Sequence, residues 1–122
     1  YSAQSAAIDI RIALDELCQR FALSDEVRAF ATTLLLHATE HAEEIDTSAA
    51  AMAKNWSWDR IARIDRLILR LALAEMLYIE EIPVRVSINE AIELAKSYST
   101  DKSYAFVNGV LDGVVRQKGL VV

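Results

Sequence analysis

Cysteine, proline and glycine are scarce: the 122 residues hold one Cys, one Pro and three Gly. A single thiol, Cys18, excludes an internal disulfide framework and any zinc site built on cysteines. It falls on an apolar stripe with Ile10, Leu14, Leu17 and Phe21 at helical spacing, where a thiol is a small inert hydrophobe. So little Pro and Gly means that few turns are encoded. The opening YSAQSAAIDIR has neither the basic start nor the long apolar core of a signal peptide. The longest apolar region, Leu67 to Ile79, contains Arg70 and Glu75 and is too short to span a bilayer. No Gly-rich phosphate loop, nucleophile elbow or Cys–His pair is present. Glu80 and Glu81 are adjacent, which is poor geometry for a cooperating carboxylate pair. These absences predict a soluble, cytoplasmic protein with no membrane association, no cofactor and no enzymatic activity.

What is present is helix-forming. Hydrophobic residues make up 53% and charged residues 25% of the chain, within the range of one globular domain covering residues 1–122. Ala, Leu, Ile, Glu and Arg dominate, so an all-α bundle is expected. Ser24 offers an N-cap oxygen, with Asp25 and Glu26 placed where the helix dipole favours acids. The stripe Val27, Phe30, Ala31, Leu34, Ala38, Ala42 and Ile45 then predicts one long helix. Ser57 can cap a third, with Asp59 in its first turn. That helix turns apolar on nearly all sides from Leu67 to Ile79, the mark of a bundle's centre. Pro83 ends it, and Val84-Arg85-Val86 reads as briefly extended. Ser87 and Glu90 have capping-box spacing for a helix through Tyr98, and Ser103 is the candidate cap of the last helix. Gly109 and Gly113 on that helix predict close approach by a neighbour.

The net charge of −5 is unevenly spread. Residues 1–53 carry three Arg against nine acids; residues 54–122 carry ten bases against nine acids. A polyanion would therefore dock on the second half. Arg60, Arg63, Arg66 and Arg70 recur as a ridge that reads first as a solvated face. Lys96, Tyr98, Lys102, Tyr104 and Phe106 gather around a helix end, a polar loop and a helix start. Cations neutralise phosphate, aromatics stack unpaired bases, and free N–H groups at a helix start accept an anion. The same aromatics would serve equally as core edges. His37-Ala-Thr-Glu40-His41 matches an H-x-x-E-H zinc-peptidase pattern. Its acidic surroundings, Glu40, Glu43 and Glu44, favour a solvated surface instead, and no metal site is expected.

The words NWSWDRIARIDRLILRLALAEML and IPVRVSINEAIELAKSYSTDKSYAFVNGVLD closely resemble the C-terminal half of the NusB family, bacterial transcription antitermination factors. The resemblance implies two packed three-helix subdomains. It also implies binding of the boxA element of ribosomal RNA leader transcripts, together with the small-subunit ribosomal protein NusE, in the transcription elongation complex. It places Lys96, Tyr98, Lys102, Ser103, Tyr104 and Phe106 on the RNA side, and Tyr1, Asp65 and Arg66 on the NusE side. Lys102 sits where acidic residues are also found in the family. Asn89, Glu90, Asn108 and Gly109 match positions read as packing and capping. Members of the family open with an Arg-rich helix that has no counterpart here, which implies that a basic segment precedes Tyr1 and that the first helix is truncated. Two other readings remain open: the NusB-like RNA-binding domain of a ribosomal RNA methyltransferase, and a helical protein-interaction module without RNA affinity. A monomer and a homodimer fit the sequence equally.

Overall fold

The computed structural model describes residues 12, 15, 16, 19–53, 61–100 and 102–122. Five complete helices follow a helical stretch that ends at Phe21: α1 (Asp25–Glu40), α2 (Ala42–Met52), α3 (Arg63–Tyr78), α4 (Val84–Tyr98) and α5 (Ser103–Lys118). No strand occurs among the described residues, as the composition predicts.

Helix α3 is the hub. It packs against α4, α5, α1 and α2, and it buries Ile68, Leu69, Ala72, Leu73, Ala74 and Met76. Its all-round apolar pattern has this cause: an outward face that is also covered must also be apolar. Helices α3, α4 and α5 pack on one another in all three pairings, and α2 closes over α5 and α3. Ile45, Leu69, Leu73, Val107, Leu111 and Val114 form the fully enclosed centre. Helix α1 buries no side chain completely; Leu34 and Ala38 only lean on the core, while Val27 and Phe30 are largely exposed.

Local sequence rules hold at some helix ends and fail at others. Ser24 Oγ accepts from the Val27 amide at 3.2 Å, as predicted. Gly119 ends α5 with φ 64°, and the Leu120 amide reaches back to the Val115 carbonyl at 3.0 Å, a Schellman closure that needs the left-handed region. The long helix predicted from Asp25 to Ile45 is instead two, broken at His41 (φ −110°, ψ 22°). Helix α3 starts at Arg63 because Ala62 is extended; Ser57 and Asp59 lie outside the described residues.

Val84, Arg85 and Val86 are helical, not extended. Pro83, with φ −58° and no N–H to satisfy, is suited to helix entry, and its carbonyl accepts from the Val86 amide at 3.0 Å. The Ser87–Glu90 capping box is therefore not formed. Ser87, already one turn inside α4, is buried and donates instead to Glu75 Oε1 of α3 at 2.5 Å. The two helical glycines also diverge. A Cβ at Gly113 would lie 2.7 Å from Met52 Sδ, so there the predicted close approach exists. At Gly109 a Cβ would meet nothing within 4 Å, and Asn108 beside it is exposed.

Candidate nucleic-acid interface

The α4–α5 connection is built on one carboxylate. Asp65, in the first turn of α3, is 6% exposed. Ser99 Oγ donates to its Oδ1 at 2.7 Å, and Ser103 Oγ donates to its Oδ2 at 2.9 Å. Thr100 Oγ1 lies 2.8 Å from Ser103 Oγ, and the Ser103 amide donates to the Thr100 carbonyl at 3.0 Å. Three hydroxyls and one carboxylate thus tie the loop to α3. Hydrogen bonds to an ionised acceptor are stronger than neutral ones, and here they satisfy a carboxylate that would otherwise be costly to bury.

This network changes the part played by two predicted site residues. Ser103 is the first residue of α5 and not its cap; the cap position is Lys102, which makes no side-chain capping bond. The Ser103 hydroxyl is buried and committed to Asp65, so it positions the loop from beneath. Asp65 is equally committed on both oxygens, so it is a strut under the loop and not an open acid. Its one remaining outlet is a cavity of about 300 Å³, lined by Ile61, Ala62, Asp65, Thr100, Lys102, Ser103 and Phe106.

Above that base the surface is cationic and aromatic. Lys102 is exposed at the cavity rim, and Phe106, half-buried, forms a wall and packs on the core. The Lys96 ammonium sits 5.2 Å from the Tyr104 ring centroid, a cation–π contact across α4 and α5. Lys96 also lies 3.9 Å from Glu93, an exposed pairing of little weight. Helix α5 carries no acid in its first turn and a cation at its N-cap. Both choices run against the helix dipole, so among the described residues the only acid at this end is Asp65 beneath it, and the outer surface carries Lys102.

The remaining predicted residues are dispersed. Tyr98 is 70% exposed but lines a separate shallow depression with Asn89, Glu90, Glu93 and Leu94, an acidic flank of α4. Arg66 is half-buried beside Asp65, its Nε enclosed and without a hydrogen-bond partner. Tyr1 lies outside the described residues, as does Arg60. The arginine ridge is not a uniform strip: Arg63 is exposed, whereas Arg70 clamps Asp46 of α2 through Nε at 2.7 Å and a second nitrogen at 2.8 Å. That hydrogen bond, more than the partner's charge, raises the Arg70 pKa above its ordinary value despite partial desolvation. Sequence reading missed Ser99, Thr100 and Asp46, because no local pattern marks contacts between separate helices.

The described residues thus form an all-helical bundle with a cationic, aromatic end held by buried hydroxyls. The NusB family model matches residues 2–116, and the chain belongs to the NusB family. The transcription antitermination protein NusB of Geobacter sulfurreducens is 45% identical over 93% of this chain and 80% of its own length. Its counterpart from Chloroherpeton thalassium is 52% identical over 67% of this chain, but the match spans only 40% of that longer protein. The solved structure of T. maritima NusB superposes with a TM-score of 0.74 at 28% identity, covering 96% of this chain and 92% of that one.

Proposed function

We propose that this chain is a transcription antitermination factor that binds boxA RNA of ribosomal RNA leader transcripts jointly with NusE, within the elongation complex. The observation that carries the RNA reading is the start of α5. Lys102 stands at the N-cap of α5, whose own first turn carries no acid, at the rim of the cavity walled by Phe106, and Lys96 lies against the Tyr104 ring. A phosphate there meets a cation and a helix dipole of the same sign, and an unpaired base finds an aromatic surface. Ser103 holds the platform from beneath, and Tyr98, in its separate depression on α4, would serve RNA only as a second contact. The antitermination role and the NusE partnership rest on kinship with antitermination proteins. Asp65 and Arg66 would meet NusE through the edge of α3 and the loop that Asp65 secures, with Tyr1 adding to that side. The protein works by binding alone, without a cofactor.

A mobility shift with a boxA-like RNA, with and without NusE, tests the proposal. Weak binding by the protein alone and a clear gain on adding NusE are expected. With few cations at the site, the salt dependence should be shallow, about −0.7 per phosphate neutralised on a log–log plot. No binding together with no gain from NusE overturns it.

A further inference from the structure

The chain's two histidines, His37 and His41, lie one turn apart at the junction of α1 and α2, with Glu40 between them. One ligand atom from each of the three lies within 4.8 Å of the other two. His37 Nδ1 is enclosed and has no hydrogen-bond partner. A buried ring nitrogen without a partner calls for an explanation, and a missing ion is one of the standard ones. The imidazole of His41 stacks on Tyr78 of α3 at 3.9 Å between centroids and 10° between planes, so its ring is held from behind. Beside Glu40 and His41 lies an open cleft of about 730 Å³ that also takes in Glu43, Glu44 and Lys118. Three of those residues are acids and one is a lysine, so the cleft favours a small cation.

We propose that His37, Glu40 and His41 form a binding site for a single zinc-class divalent cation. Two imidazoles and one carboxylate are a donor set suited to Zn²⁺ and Ni²⁺ and poor for Ca²⁺ or Mg²⁺, which prefer oxygen ligands. Tetrahedral coordination at metal–ligand distances of about 2.0–2.1 Å places ligand atoms about 3.3 Å apart. The cluster must therefore contract. Glu40, with a side chain 69% exposed, is free to swing inward. The remaining coordination position opens on the cleft. The ion would pin the last turn of α1, the helix that buries no side chain completely, to the α1–α2 junction.

The test is titration of the tag-free protein with Zn²⁺, and separately Ni²⁺, followed by calorimetry and by the ring signals of the histidines in NMR. One ion per chain is expected, with both histidines shifting together and saturating at one equivalent. Amide exchange across α1 should slow and Tm should rise. His37→Gln and His41→Gln should each weaken binding by at least about tenfold, and Glu93→Gln, on α4 and outside the cleft, should leave it unchanged. Histidine signals that do not move at one equivalent would overturn the proposal in the wild-type protein, whatever the variants do. So would undiminished binding after replacement of both histidines.

Discussion

The Ser103 hydroxyl, buried at the first turn of α5, donates to Asp65 Oδ2 of α3 at 2.9 Å, while Ser99 holds the other oxygen. The start of α5 is therefore fixed from below by a buried carboxylate. Asp65→Ala should destabilise the protein by about 1.5–3 kcal/mol, because two serine hydroxyls lose a charged acceptor in a buried setting. Chemical denaturation measures the loss, and amide exchange should localise it to residues 99–103. Asp65→Lys should damage the loop and so lower RNA and NusE binding together. Loss of NusE binding alone, with an unchanged melting temperature, would instead make Asp65 a direct contact.

Asp46 and Arg70 join α2 to α3 through two parallel hydrogen bonds. Both side chains are partly exposed, so solvent screens the pair, and a coupling energy near 1 kcal/mol is expected from a double-mutant cycle. Arg70→Lys should recover little of it, because a lysine ammonium lacks the planar fork. A coupling near zero would show that the clamp is only a surface pair.

The contrast between these two contacts and the helix pattern marks how far the sequence is legible. Periodicity exposes α3 as the central helix because each of its apolar positions reports a local fact, its own burial. Ser24 announces its cap for the same reason. Asp65, Ser99 and Ser103 lie on separate segments, and serine is common in loops whether or not a carboxylate waits beneath. Ser87 misleads more sharply: its spacing to Glu90 mimics a capping box, yet Pro83 has already opened the helix and Ser87 faces Glu75. The cationic and aromatic residues were identifiable as a group; the separation of Tyr98 from Lys102 depends on helix orientation, which spacing does not encode.

Gly109 and Gly113 should respond oppositely to alanine. Gly109 faces open space, so Gly109→Ala should gain about 1 kcal/mol from helix propensity alone. At Gly113 the added methyl would press on Met52, an overpacking that typically costs 1–3 kcal/mol and offsets that gain. Thermal melts of the two variants separate the cases. Equal stabilisation would mean that Met52 moves aside freely.

Glu90 carries a pH signature. Withdrawal from water, and next the carboxylate of Glu75, raise its pKa above the ordinary value. A carboxyl with a raised folded pKa contributes stability that is fully present below its unfolded pKa and is lost as pH rises through the folded one. Glu90→Gln removes the charge that the fold disfavours. The variant should exceed wild type in stability at neutral pH, with the advantage vanishing below about pH 4, where the carboxyl is protonated in both states. A difference that is the same at both pH values would assign the effect to packing.

Lys102 should show function opposing stability. A cation at the N-cap of α5 faces the positive end of the helix dipole, and its side chain makes no capping bond. Lys102→Asp reverses the charge at the positive end of the dipole, so it should stabilise the fold by about 0.3–1 kcal/mol. The same change places a carboxylate where the proposed RNA phosphate sits and should weaken RNA binding. If Tm rises while RNA affinity, with and without NusE, stays unchanged, the start of α5 is not the RNA site. If both fall, the N-terminus is not governed by its dipole. A gain in Tm paired with a loss of affinity is the result that the uncapped, cationic helix start predicts.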